Sequence, residues 1–139
     1  YNPFMGSHYT ETTGDEPLLG TVMEFTGDLV EKEYTDQKRL SKAKVSDTEE
    51  SKFVYGIYFA GRSEDSGELI ASVGASWCRI HKDETISIGD LLVSKGDGTA
   101  KVQSDDIIRS KTIGKITSTT KKETYSDGSY VVPVVLYCG

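Results

Sequence analysis

His8 and His81 are the only imidazoles in a chain of 139 residues. Any general-base chemistry by histidine near neutral pH must therefore use one of them. His8 follows Ser7 in the run Gly6-Ser7-His8-Tyr9, behind an apolar opening of Pro3-Phe4-Met5. Serine and histidine are the two halves of a nucleophile–base pair, yet neighbours on one strand point to opposite faces. Ser7 and His8 thus need groups from elsewhere, a neighbouring subunit included, to react. They are the candidate catalytic residues, for self-cleavage only, and the plainer reading is a polar turn entering the first strand. His81 runs into Lys82-Asp83-Glu84 and reads as a surface turn residue.

Other reactive side chains are not arranged for chemistry. Asp105-Asp106, Glu49-Glu50 and Asp83-Glu84 lack the alternating oxygen spacing of a calcium loop and read as solvated turns. Lys95-Gly96-Asp97-Gly98-Thr99 lacks the Gly-Lys-Ser/Thr ending and following helix of a phosphate loop, so it reads as a hairpin. Cys78 and Cys138 are too few for a structural zinc site. Each reads as a buried small hydrophobe, and a Cys78–Cys138 bridge is the alternative left open. No carboxylate pair stands out for glycoside hydrolysis. No metal and no other cofactor is expected. Eight tyrosines and one tryptophan make a shallow sugar-binding patch a physical option. Strand alternation would then put Tyr55 and Tyr58 on opposite faces, so only one would contribute.

The elements that hold these residues are strands. Fourteen glycines punctuate short apolar runs, which is the pattern of an all-β compact barrel or sandwich. Strands are expected at 20–25, 29–33, 54–60, 69–73, 76–81, 90–94, 100–103, 111–118 and 130–137. Only 35–43 and a turn at 104–109, capped by Ser104, are candidates for helix. The organisation is an N-terminal segment over 1–17 and one β domain over 18–139. Within it a repeat is legible, 18–80 against 86–139. Leu19-Gly20-Thr-Val-Met, Ala43-Lys44, Val54-Tyr55-Gly56-Ile57 and Gly67-Glu68-Leu69-Ile70 recur as Ile88-Gly89-Asp-Leu-Leu, Ala100-Lys101, Thr112-Ile113-Gly114-Lys115 and Gly128-Ser129-Tyr130-Val131. Ala71–Ile80 would connect the halves. The run Tyr130–Cys138 has two readings, an apolar edge strand covered by a partner subunit, guarded by Pro133, or a core strand.

Charge narrows the partners. The formal net charge of −6 argues against a nucleic-acid binder. The longest apolar run, Val131–Cys138, is broken by Pro133 and falls well short of the ~20 residues of a membrane-spanning helix, so membrane insertion is not expected. Tyr1-Asn-Pro-Phe4 reads as the start of a cleaved or excised piece of something longer.

The runs Val54-Tyr55-Gly56-Ile57, Ile70-Ala71-Ser72-Val73-Gly74, Ile88-Gly89-Asp90-Leu91-Leu92, Gly98-Thr99-Ala100-Lys101 and Thr112-Ile113-Gly114-Lys115 carry a resemblance. The chain resembles the β-rich C-terminal domains of viral fibre and appendage proteins, in particular phage neck-appendage and tail-fibre domains associated with self-cleaving intramolecular chaperones. Gly6-Ser7-His8 is similar to an element that often opens such domains. The resemblance covers most of 6–139 and implies a virion structural protein, a homotrimer whose partners are itself and other virion proteins. A host-surface glycan or receptor is a further implied partner. In self-cleaving members a chaperone segment is released by autoproteolysis, but no long C-terminal helical part is recognisable here. Small phage capsid-decoration domains are a second, weaker resemblance. A virion location, a non-catalytic fibre role, and autoproteolysis or capsid decoration as alternatives are the resulting expectations.

Overall fold

The computed structural model describes residues 7–12, 14–30, 41–60 and 68–138. Among these residues eleven strands occur: β1 (Ser7–Thr10), β2 (Val22–Leu29), β3 (Ser41–Val45), β4 (Val54–Ala60), β5 (Glu68–Ala71), β6 (Val73–Ile80), β7 (Leu91–Ser94), β8 (Ala100–Val102), β9 (Gly114–Ile116), β10 (Glu123–Thr124) and β11 (Tyr130–Tyr137). The all-β expectation is met, and no helix occurs among the described residues. The helical candidates are not seen where they are described. Residues 41–43 lie in β3, and 35–40 fall outside the described residues. At 104–109 the Asp105 carboxylate accepts from Ile107 N and Gln103 Nε2, holding a loop turn that competes with a helical one.

The strands form two sheets, ordered β1-β5-β4-β2-β3 and β10-β11-β6-β8-β7-β9. The second closes into a five-stranded barrel because β9 also pairs with β11. The first curls until its outer strands meet at one parallel bridge, Thr12 to Ala43.

These two sheets are one pattern used twice. Met23 faces Gly56 and Val45 in the first, as Leu92 faces Gly114 and Val102 in the second. Ala43-Lys44-Val45 and Ala100-Lys101-Val102 take the same register against β2 and β7. The bridge Thr12–Ala43 recurs as Ile80–Ala100, also parallel. Loop hydrogen bonds recur as well. Gly20 N donates to Tyr58 O at 2.9 Å, and Gly89 N to Ile116 O at 2.8 Å. Tyr58 N returns a bond to Thr21 O, as Ile116 N does to Asp90 O. Each copy contains its own opening strand, β1 or β6, so β6 belongs to the second barrel instead of linking the halves. The last motif matches differently from the sequence comparison. Ile57 pairs with Ala71 and Lys115 with Val135, which sets Glu68 against Val132 and leaves Gly128 in the turn before β11.

Only Ser72 separates β5 from β6, and the barrels pack directly. Val22, Val54, Ile57 and Ala71 of the first share one buried cluster with Cys78, Ile80, Leu92, Val132 and Val134 of the second. The first barrel has its own small centre of Met23, Ala43, Tyr58 and Ile70, with Tyr55 packed against it. Tyr55 and Tyr58 therefore serve the same centre, contrary to simple alternation. The register of β4 against β2 slips between Gly56 and Val54, and a bulge of one extra residue reverses the facing of the residues beyond it.

The reading of Tyr130–Cys138 as a partner-covered edge is corrected. β11 runs between β6 on one side and β9 and β10 on the other, so it is a core strand. Pro133 is tolerated at a gap in the ladder. Its carbonyl accepts from Thr117 N, so its missing N–H would point the same way, between β9 and β10. Cys78 and Cys138 are free thiols, and the β6–β11 register opposes Cys78 to Val132.

Candidate functional site

The polar side chains gather where the barrels meet. Arg79, next to last in β6, points outward, its neighbours Cys78 and Ile80 being fully buried in the barrel. Its backbone N donates to Gly20 O across the junction at 2.9 Å. Its guanidinium spreads over three partners: an ion pair with Asp127, Nε to Ser129 Oγ at 2.8 Å, and Nη1 to Thr21 Oγ1 at 3.2 Å. Beneath it lies the Tyr125 ring, 5.6 Å from the guanidinium carbon, and Tyr125 OH donates to Leu19 O at 2.9 Å. The side chain of Arg79 is 11% exposed, so this fork binds the first barrel's entry loop to the second barrel's last hairpin.

A cleft of about 300 Å³ opens beside it, lined by His81, Lys82, Asp97, Thr99, Asp127 and Ser129. The two aspartates are held by the turns they sit in. Asp127 Oδ1 accepts from Ser129 N and Oγ at 2.9 and 2.6 Å, and Asp97 Oδ1 accepts from Thr99 N at 3.1 Å and from its Oγ1. The bonds from Ser129, with Arg79 alongside, hold the Asp127 carboxyl down at about 2. For Asp97 burial works upward, but the Thr99 bonds together with His81 and Arg79 leave it lowered.

This arrangement positions and fixes; it does not activate a nucleophile. Ser129 Oγ accepts from Arg79 and donates to Asp127, whose carboxyl, held at about 2, is a weak base. Asp83 N donates to His81 Nδ1 at 3.2 Å, and His81 Nε2 stands 3.8 Å from Asp97 Oδ2. That is beyond hydrogen-bond range. Ser7 and His8 lie elsewhere, on β1, opposite Ala71 and Ile70 of β5. They hold in the first barrel the places that Ala75 and Ser76 hold in the second, by register with Val135 and Val134. His8 and His81 are not brought together. No metal-ligand cluster occurs among the described residues.

No protein-family model matches the chain, and no curated protein matches it.

Two of the acidic pairs expected to be solvated turns have work in the junction or its neighbourhood. Glu49 and Glu50 reach Lys101 at 3.2 and 3.5 Å, and Glu50 also binds Lys111. Glu84 Oε1 accepts from Val102 N at 2.7 Å. A second, apolar hollow of about 400 Å³ lies on the outside, lined by Phe59, Ala75, Ser76, Trp77 and Pro133. Lys122 stands 4.8 Å above the Trp77 ring. A third is framed by Phe25 and Phe53, whose rings are 5.6 Å apart. Sequence inspection passed over Arg79 and Phe25. The recurrence of Gly-Asp after Thr26 and Lys95 was the available signal, because it extends the repeat into both hairpins.

Proposed function

We propose that this chain is a structural domain of a virion fibre or appendage that acts by assembling with copies of itself, without covalent chemistry of its own. One observation carries the reading. Large apolar side chains stand in the open as local patches: Phe25 and Phe53 against each other, and the consecutive Ile107 and Ile108 at 54% and 57% exposure. Scattered apolar residues are ordinary on a monomer, whereas paired ones favour a protein partner. Barrel closure supports the same view of how copies would meet, through side-chain faces instead of free strand edges. The fibre setting itself rests on the sequence resemblance.

The test is native mass by size exclusion with light scattering over a range of concentrations. A trimer or larger assembly is expected. A monomer at the highest attainable concentration would overturn the reading.

A further inference from the structure

The contact that joins the two barrels has a counterpart on the first barrel that no described residue fills. In the filled version, the β3–β4 loop lies on the β7–β8 hairpin. Glu50 N donates to Ser94 O at 2.8 Å. Backbone atoms of Thr48 and Glu49 come within 3.0–3.4 Å of the point where a Cβ on Gly96 would stand. Lys101 and Lys111 complete the socket by binding Glu49 and Glu50.

The duplicated register gives Phe25 as the counterpart of Ser94 and Lys44 as that of Lys101, and Phe53 stands three residues before Gly56 as Lys111 does before Gly114. Gly27 stands for Gly96, both followed by Asp and both at positive φ, 93° and 100°. Around Gly27 nothing lies within 4 Å of the Cβ position among the described residues. Phe25, Thr26, Gly27 and Phe53 instead line an open hollow of about 210 Å³. The loop corresponding to the plug is the β8–β9 loop of the second barrel. It projects Ile107 and Ile108 where the first barrel's loop carries Glu49 and Glu50.

We infer that this hollow is the socket for the β8–β9 loop of a second copy of the chain, so that copies join head to tail by repeating the contact that already unites their two barrels. The inference rests on the assembly reading above and names its surface. The chemistry changes in step on both sides: an acidic plug meets a lysine socket within the chain, and an isoleucine plug meets a phenylalanine socket between chains. The rims are complementary too, with exposed Lys52 beside Phe53 and exposed Asp106 beside Ile107. A plug and a socket on different parts of one molecule make a heterologous interface, which closes into a ring or continues as a filament according to its rotation.

Two variants test this: Ile107→Asp with Ile108→Asp for the plug, and Phe53→Glu for the socket. All three side chains are exposed, and Ile107 uses only backbone atoms in its hydrogen bonds, so thermal melting of both variants should match the parent. Each alone is expected to weaken self-association by about tenfold or more. Mixed together, they should form a one-to-one heterodimer, because one intact plug then faces one intact socket. If the parent assembles and neither variant weakens it, the surface is wrong while the assembly reading stands. Two dissociated variants that stay apart on mixing would overturn head-to-tail pairing. A parent that is monomeric throughout removes both readings.

Discussion

Ile80 pairs in parallel with Ala100, and Thr12 with Ala43 in the same way. All other strand pairs in both sheets are antiparallel among the described residues. The two parallel contacts occupy one position in the two copies and close the ring in each. A five-stranded ring has an odd number of strands, so strict antiparallel alternation cannot be completed; one parallel join is required. Alanine suits it, since both Ala43 and Ala100 are fully buried where the ring closes.

The repeat glycines should fail for different reasons. Gly114 has ordinary φ, but a Cβ there would stand 2.3 Å from the Val135 carbonyl oxygen. That atom belongs to the backbone of the central strand and has little room to shift. Gly114→Val should cost about 3 kcal/mol or more, or prevent folding. Gly89 has φ +93° with open space around it, so Gly89→Val should cost only the strain of that conformation, about 1–2 kcal/mol. Urea unfolding of both variants checks the order. Equal losses would show that packing is not what distinguishes them.

Glu24 is 1% exposed and neither of its carboxylate oxygens has a hydrogen-bond partner among the described residues. Its cross-strand neighbour Lys44 is engaged with Asp47 instead, at 3.3 Å. In the other barrel the same place is taken by Val93. A buried polar group without partners costs stability that an apolar side chain recovers. Glu24→Leu should therefore raise stability by about 1 kcal/mol or more. A lower melting temperature would mean that Glu24 is satisfied in solution.

Asp127 makes part of the stability depend on pH. Its folded carboxyl lies at about 2, held there by Ser129 and Arg79, below an unfolded value of about 3.9. With the folded value depressed, the contribution is present above the unfolded value and is lost as pH falls from about 4 to about 2. Asp127→Asn should melt below the parent at pH 7, with the gap closing by pH 2. Asp105, held at about 2 by Arg109 and Gln103, supplies a similar slope in both proteins and cancels. A gap that persisted unchanged at pH 2 would contradict the assignment.

Both thiols should be unreactive in the folded protein. Burial pushes the Cys78 thiol far up, and that of Cys138 to about 12. The thiolate is the nucleophile, so neither should take up iodoacetamide at pH 8 until denaturant is added. Mass spectrometry of the native protein reads the outcome, and rapid single labelling would show that the end of β11 opens.

The sequence determined the all-β class, the β4 and β11 spans to the residue, and the first three motifs of the repeat. Period-two patterning, turn glycines and runs such as Ala-Lys-Val are local signals, and each copy kept them where its own register needs them. Ring closure joins residues far apart in sequence, such as Ile80 with Ala100, and leaves no local mark. That is why β1 and β3 were missed and β11 allowed two readings, whereas β10 is only two polar residues, Glu123 and Thr124, too short to show a period. A strongly apolar run looks alike as an edge covered by a partner and as a strand flanked on both sides; only the pairing with β6, β9 and β10 distinguishes them. The site was hidden for the same reason. Arg79 is one of many charged residues until the fold brings Thr21, Asp127 and Ser129 around it, and Gly27 gains meaning only beside the covered Gly96. Tertiary structure decided those relations because barrel packing, not neighbouring residues, sets which copy of a repeated surface is filled and which stays open.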